Sequence, residues 1–536
     1  MRQLITPCGL VIILNGLAIR TPAADIYVDH LLADDCRGTY CVVNRDGSGS
    51  DGFAYNTPQE AADAAKPGDT VYFRAGTYFN HADLRDRAVV MNVLTSGTVH
   101  NPITYTNYRH ETAILSGMRP NDTGHFFVLR LGVAASDRQA KSGQGIQNIV
   151  IDGLIVEGAS RTALSVNGPA DQTASAKNST ENIVIRNVVA RNNSGPNGSG
   201  GGIGTRGKVI HVLIEYCEAH SNTGTGIHFG RISKSWHNPE PEDDMSAAQY
   251  CVIRNCLAHD NIHPSHPGNT DGIAGSHMYR CTIANNAVFN NSDDGMDVYA
   301  SIETTVRGNI IFGHRHPGGN NAGLKFSAGG GGRHAISGNI VLHSDGYSFE
   351  GSNPSNRLRE YYPSRIYGNL AYNGRTGFNL GTSYNRTYPG YRNSYLRNNI
   401  ALDNGNHDVR LFSDIADCDC NFIGDAKDLE ASKALGHDKS SLTGEPGLLN
   451  AHAAIDTSFR ADWDVRQKLN HLRTQITAAF GLRADSQLID RAALIKGYHC
   501  PCADDDRANP MDPQAPGRHW RGGAPDIGAL EYGLDP

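Results

Sequence analysis

The sequence predicts an all-β chain: a right-handed parallel β-helix solenoid of about 30 residues per coil, with an N-terminal capping helix and an irregular, partly helical C-terminal region. Three observations carry that expectation. A nine-residue segment recurs along the chain, an asparagine recurs at one position within it, and a second segment of each repeat alternates apolar, polar, apolar.

The recurring segment reads IRNVVARNN from Ile185, IEYCEAHSN from Ile214, IRNCLAHDN from Ile253 and IANNAVFNN from Ile283. It continues as VRGNIIFGH from Val306, ISGNIVLHS from Ile336, IYGNLAYNG from Ile366 and LRNNIALDN from Leu396. Successive starts lie 29, 39, 30, 23, 30, 30 and 30 residues apart. A fixed period of short alternating strands and Gly/Asn turns is the signature of a stacked solenoid. The 60 glycines and 23 prolines, with only 7 methionines and 19% charged residues, suit many tight turns better than a packed α/β core.

The fourth position of the segment holds Asn286, Asn309, Asn339, Asn369 and Asn399. Stacked at the strand spacing of about 4.8 Å, their amides form a ladder. Cys217 and Cys256 begin the same column, and Cys251 and Cys281 share another, as bridges or as stacked thiols. Cys36 and Cys41 are spaced to close a short loop.

A solenoid needs capped ends. In NTPQEAADAAKPGDTVYFRAGTYF (56–79), Thr57, Pro58 and Glu60 fit a capping box that opens a short helix, and TVYFRAGTYF then starts the first coil. The periodicity ends near residue 430, where DWDVRQKLNHLRTQITAAF reads as helix and PDIGALEY (525–532) as a closing strand. The expected organisation is a signal peptide over 1–24, a β-helix domain over 25–429 and a C-terminal extension over 430–536 that packs on or caps it. Arg2, the apolar stretch 8–19 and Ala23-Ala24 support export to a secreted or periplasmic location. Without Cys8, ten cysteines remain, an even number that suits an oxidising compartment. CDC (418–420) and CPC (500–502) lack zinc spacing. A net charge of −7 excludes a nucleic-acid partner, and no apolar run reaches the roughly 18 residues of a membrane span. A capped solenoid is expected to be a monomer.

Each repeat carries a second strand with an apolar–X–apolar triplet. These are Ile227-His228-Phe229, Ile273-Ala274-Gly275, Met296-Asp297-Val298, Leu324-Lys325-Phe326, Tyr347-Ser348-Phe349, Phe378-Asn379-Leu380 and Val409-Arg410-Leu411. Strand alternation sends the middle residues outward into one column. Asp271 of GNTDGI and Asp294 of SDDGMD fall at equivalent positions on neighbouring coils, so Asp271, Asp293, Asp294 and Asp297 converge, with Lys325 one coil on. Carboxylates about 5 Å apart repel by roughly 3 kcal/mol per ionised pair at an effective dielectric near 20. Protonation or a cation must relieve that repulsion. All-oxygen ligands on an open sheet favour Ca2+.

A TDG coil, then DDGMD, then GLK on the next coil resembles the calcium-dependent pectate lyases of polysaccharide lyase family nine, over roughly 210–412. The resemblance implies calcium ligands at Asp271, Asp293, Asp294 and Asp297, a lysine base at Lys325, and β-elimination on an acidic polysaccharide of 4-linked uronic acids, pectate foremost. Candidates for substrate contacts are His228, Arg231, Tyr299, Arg315, Arg333 and Arg410, and the insertion 231–249 offers Trp236 for stacking on a sugar.

Two other readings stand beside it. Asn269-Thr270-Asp271, Asp293-Asp294, Gly313-His314-Arg315 and Gly323-Leu324-Lys325 are similar to the short signatures of polygalacturonases, β-helical hydrolases that need no metal. Arg315 stands where that pattern has its last glycine and Gly323 where it has arginine. A solenoid that binds polysaccharide without catalysis is the third reading.

Overall fold

The computed structural model describes residues 23–79, 89–117, 127–132, 145–169, 179–195, 199–230, 248–351, 361–362, 364–380, 394–411, 417–489, 491–492 and 527–528. The leader over 1–22, Arg231, Trp236, Cys500, Cys502 and most of 525–532 lie outside them.

Each aligned segment turns two corners. Its third residue is in the left-handed backbone region in successive coils: Asn187, Tyr216, Asn255, Asn285, Gly308, Gly338, Gly368 and Asn398. Asparagine and glycine tolerate that conformation better than other residues, which is why they dominate the slot. Between the corners run the short strands of a 12-stranded parallel sheet, from Gly76–Tyr78 to Phe422–Ile423. The other strands join in a 29-stranded sheet that wraps the remaining faces, because some of its members, such as Met296–Ile302, run on around a bend. Register is kept from coil to coil, with Ile253 opposite Ile283, Ile283 opposite Val306 and Val306 opposite Ile336.

That register stacks aliphatic side chains inside the tube. Ile185, Ile214, Ile253, Ile283, Val306, Ile336, Ile366 and Leu396 are all 0% exposed. Each such burial contributes about 1.5–3 kcal/mol. The asparagine ladder runs beside them: Asn286 donates to Asn309 at 2.9 Å, Asn309 to Asn339 at 2.8 Å, and Asn339 to Asn369 and Asn369 to Asn399 at 3.0 Å. Asn421 extends it, accepting from Asn399 at 3.2 Å. A second ladder, at the ninth position of the segment, links Asn193, Asn222, Asn261 and Asn291 at 2.7–2.8 Å.

The described cysteines are thiols: no bridge joins Cys36 to Cys41, and Cys217 with Cys256 and Cys251 with Cys281 stack instead of bridging. The Cys217 amide donates to Cys256 Sγ at 3.5 Å, and the Cys256 amide to Asn286 Oδ1 at 2.9 Å, so sulfur takes the ladder's place at its start.

Thr57 caps the helix Pro58–Ala64 and accepts from the Glu60 amide. The Glu60 carboxylate meets the Thr57 hydroxyl and not its amide, so half of the capping box forms. The first coil starts earlier than TVYFRAGTYF: Asp25–Val28 already pairs in parallel with Thr70–Phe73. At the other end the helix Val465–Phe480 lies along the outer face of the 12-stranded sheet. Its Leu469, Leu472, Ile476 and Phe480 join a buried cluster with Phe289, Phe312, Leu342 and Tyr372 of that sheet. No helix among the described residues is long and apolar enough to cross a membrane.

Candidate functional site

The strands Ile273–Ser276, Met296–Ile302 and Leu324–Gly332 lie side by side, with Ala274 opposite Asp297 and Asp297 opposite Lys325. Met296, Val298, Leu324 and Phe326 fill the tube at 0% exposure, so alternation directs Asp297 and Lys325 outward. The turns entering the first two strands bring Asp271 and the pair Asp293-Asp294 to the same edge. Lys325 Nζ sits 3.2 Å from Oδ2 of both Asp294 and Asp297.

Backbone and amide donors fix the carboxylates. Asp293 accepts from the Asn269 amide at 2.6 Å and the Asn320 amide at 2.8 Å. Asp294 Oδ1 accepts from the Ala322 amide at 2.9 Å and from Asn320 Nδ2 at 3.0 Å, and Asp271 Oδ1 from the Asp294 amide at 3.2 Å. Burial, reinforced by Asp293, Asp294 and Asp297, raises the Asp271 carboxyl well above the usual range. Burial likewise pushes Asp294 up to about 8, against the pull of Lys325. Burial also opposes the Lys325 charge, but Asp297, Asp294, Asp271 and Glu350 together outweigh it and hold the amine protonated beyond its ordinary range. As it stands, then, the cluster is short of positive charge.

The outward column departs from the expected one at a single residue. Lys325 stands opposite Glu350, which stands opposite Asn379 and then Arg410. Ser348 is 0% exposed. Phe349 stacks on Phe378 with centroids 4.6 Å apart, and this contact inside the tube makes Phe349-Glu350-Gly351 the outward triplet in place of Tyr347-Ser348-Phe349. Asn320 Nδ2 reaches both Asp294 Oδ1 and Glu350 Oε2 (3.1 Å), tying Glu350 to the cluster. Neither Glu350 nor Asn320 was visible as a site residue in the sequence.

A groove of about 470 Å³ opens on the N-terminal side of Asp297, lined by His228, Asp271, Asp297 and Tyr299 together with Arg161 and Arg206. Burial, then Arg206, lowers the His228 pKa to about 4. Arg315 donates to the His343 carbonyl at 3.1 Å and Arg333 pairs with Glu303 at 3.1 Å; neither lines the groove. Arg410 is exposed in the outward column, three strands beyond Lys325. Arg161 and Arg206 carried no sequence signal, because they belong to coils outside the aligned acid motifs.

The donor set suits a hard cation. Asp271, Asp293 and Asp294 each offer an oxygen, all within 4.8 Å of one another. Asp297 Oδ1 is buried without a partner among the described residues, while its other oxygen holds Lys325. Irregular all-carboxylate ligation of this kind fits calcium. Asp297 stands outside the tightest three.

The stacked parallel coils place the chain in the class of right-handed parallel β-helices, and over residues 41–399 it matches the family described as "Pel9A-like, right handed beta helix region". The chain belongs to that family, as its TDG, DDGMD and GLK motifs led us to expect. Among solved structures it is similar to pectate lyase Pel9A, at 16% identity and a TM-score of 0.52, over 95% of this chain and 97% of that one. A rhamnogalacturonan lyase aligns at 15% identity and a TM-score of 0.45, over 82% and 93%. An alginate lyase from Paenibacillus sp. str. FPU-7 aligns at 18% and 0.38, over 58% and 91%. No protein of curated function matches the chain.

Proposed function

We propose that the protein is an exported polysaccharide lyase that cleaves a 4-linked uronic-acid polymer, pectate foremost, by β-elimination with Lys325 as the base. One observation carries the reading: the Lys325 amine lies 3.2 Å from each of two carboxylates in a four-aspartate cluster that opens on a groove. Asp271, Asp293 and Asp294, with Asp297 beside them, would hold calcium; when bound, it would neutralise these carboxylates, ease deprotonation of the neighbouring amine and stabilise charge developing on the substrate carboxylate.

The chain's own groups supply the rest. Lys325 projects from a rigid strand, and its neutral amine takes the C5 proton of the uronate. The C4–O bond then breaks, leaving a C4=C5 double bond in the new non-reducing end, and the expelled sugar oxygen takes its proton from water. Asn320 fixes Asp294 beside the base through its 3.0 Å hydrogen bond. His228 and Tyr299 line the groove in which neighbouring sugars would lie.

The test is absorbance near the ultraviolet band of the conjugated product during incubation with polygalacturonate, with calcium and with chelator. A calcium-dependent rise that disappears in Lys325→Ala supports the reading. New reducing ends without absorbance would instead make the protein a hydrolase, and binding without either product a non-catalytic polysaccharide binder. Export rests on the leader sequence, and N-terminal sequencing of the protein recovered outside the cytoplasm checks it.

A further inference from the structure

The first two coils carry a cleft that elimination at Lys325 leaves unused. Tyr27 and Tyr72 stand opposite each other on the strands Asp25–Val28 and Thr70–Phe73, with their rings stacked at 5.7 Å. Tyr108 meets them edge-on at 5.9 Å and 5.8 Å. Beside these rings a cleft of about 560 Å³ is lined by Tyr27, Val43, Asp51, Tyr108 and Arg109. From the strand of Tyr72 to Thr305–Arg307, which follows Asp297 in its coil, the sheet takes seven steps. At about 4.8 Å per step that is roughly 34 Å along the solenoid axis. The cleft is separate from the groove.

Charged groups hold its walls. Asp29, at 0% exposure, accepts from Arg45 at 2.6 Å and from the Tyr40 hydroxyl at 2.7 Å. Arg74 donates to that hydroxyl at 2.9 Å and to the Val42 carbonyl at 2.7 Å, and pairs with Glu111 at 2.9 Å. The excursion over 29–52 is thereby tied to the coils, and the cleft is formed in advance of any ligand. Its lip is left unsatisfied. Val43 is 87% exposed. Asp51 accepts from the Val42 amide through Oδ2, and its other oxygen has no partner among the described residues. Arg109 is exposed, lies 5.0 Å from the Tyr108 ring centroid and has no carboxylate partner among the described residues. Arg109 and His110 are both left-handed, at φ 46° and 64°, which two successive bulky residues seldom are. Strain of that kind gathers at ligand sites.

Arg74 and Arg109 balance Asp51 and Glu111, so the cleft suits an uncharged ligand. Tyrosine rings beside separate donors and acceptors suit a pyranose with equatorial hydroxyls. Its C–H faces rest on the rings, and its hydroxyl rim meets Asp51 and Arg109. We propose that this cleft is a non-catalytic binding site for a neutral 4-linked β-glycan, occupied independently of the groove.

Calorimetric titration of the full chain with cellohexaose tests this, run in chelator with and without excess hexagalacturonate. Wild type is expected to bind cellohexaose saturably, and hexagalacturonate to leave it bound. Arg109→Gly removes the guanidinium and relieves a left-handed residue, so Tm holds or rises. Its Kd for cellohexaose weakens roughly tenfold or more, as for a lost hydrogen bond to a charged group. Tyr108→Ala removes the platform and abolishes binding. No saturable binding by wild type would overturn the site, as would a wild-type Kd in Arg109→Gly. Displacement by hexagalacturonate would place the sugar in the groove and overturn it too. The titration involves no turnover, so failure of the lyase reading leaves its result standing.

Discussion

Two faces of the solenoid bury acidic side chains, and the two treat them oppositely. On the face covered by the C-terminal helix, Glu218 is 5% exposed and meets Lys468 Nζ at 2.7 Å from both oxygens and His259 Nε2 at 3.1 Å. Burial alone would raise its pKa, but the His259 hydrogen bond and the Lys468 charge outweigh it and hold Glu218 at about 2. On the groove face Asp294 is equally buried, shares one lysine with Asp297 and has other carboxylates around it, and its pKa goes up to about 8. Burial is common to both. The difference is the count of partners: one face satisfies its acid, and the other leaves charge for something else to satisfy.

The largest effect separates the faces by rate. Lys325→Ala is expected to lower kcat for elimination by roughly 10²–10⁴, the usual contribution of a positioned base, with circular dichroism unchanged. Lys468→Ala should do the reverse. It strands Glu218 beside His259 and destabilises the fold by about 3 kcal/mol, read as the urea midpoint, while kcat/KM stays at the wild-type value. Loss of activity in Lys468→Ala would mean that the helix-covered face is coupled to the groove and that the contrast is false.

Acidity separates them next. Asp294 has a folded pKa above its unfolded value of 3.8, so the native state binds the extra proton and stability falls as pH rises from about 4 to about 8. Glu218 has a folded pKa below its unfolded 4.5, so its stabilisation is present above that value and is lost as pH falls towards about 2. In chelator, Tm is therefore expected to decline between about pH 4 and pH 8 and to drop again in strong acid. Calcium should flatten the first decline and leave the second in place. A chelator-insensitive Tm across the neutral range would remove the groove acids as a cation site.

Much of this was readable in the chain. The corner residues are asparagine or glycine because the backbone there is left-handed, and that physical demand repeats with the coil. Asp271 and Asp294 aligned because both precede an inward apolar residue at the same offset, Ile273 and Met296, which pair in the structure. The second ladder stood in the same aligned segments, at Asn193, Asn222, Asn261 and Asn291, but the pattern breaks at His314, and four members were too few to read. Glu350 was hidden because YSF and FEG both look like strand triplets, and only the Phe349–Phe378 stack decides between them. The Glu218–Lys468 pair spans 250 residues, a closure that no local pattern encodes.

Glu350 also provides the smallest and sharpest test of the contrast. It pairs in register with Lys325 and adds to the forces that keep the amine protonated, after Asp297, Asp294 and Asp271. Glu350→Gln removes a charge, and its side-chain oxygen can still accept from Asn320. A base must be neutral to act, so a lower lysine pKa carries the acidic limb of the kcat–pH profile to lower pH, by less than about one unit. The glutamine variant should therefore be more active than wild type on the acidic side and equal to it on the plateau. An unmoved limb would mean that Glu350, whose own pKa is raised by burial, already carries its proton at working pH. In that case only the aspartates would set the charge deficit of this face, and its contrast with Glu218 would narrow to those four residues.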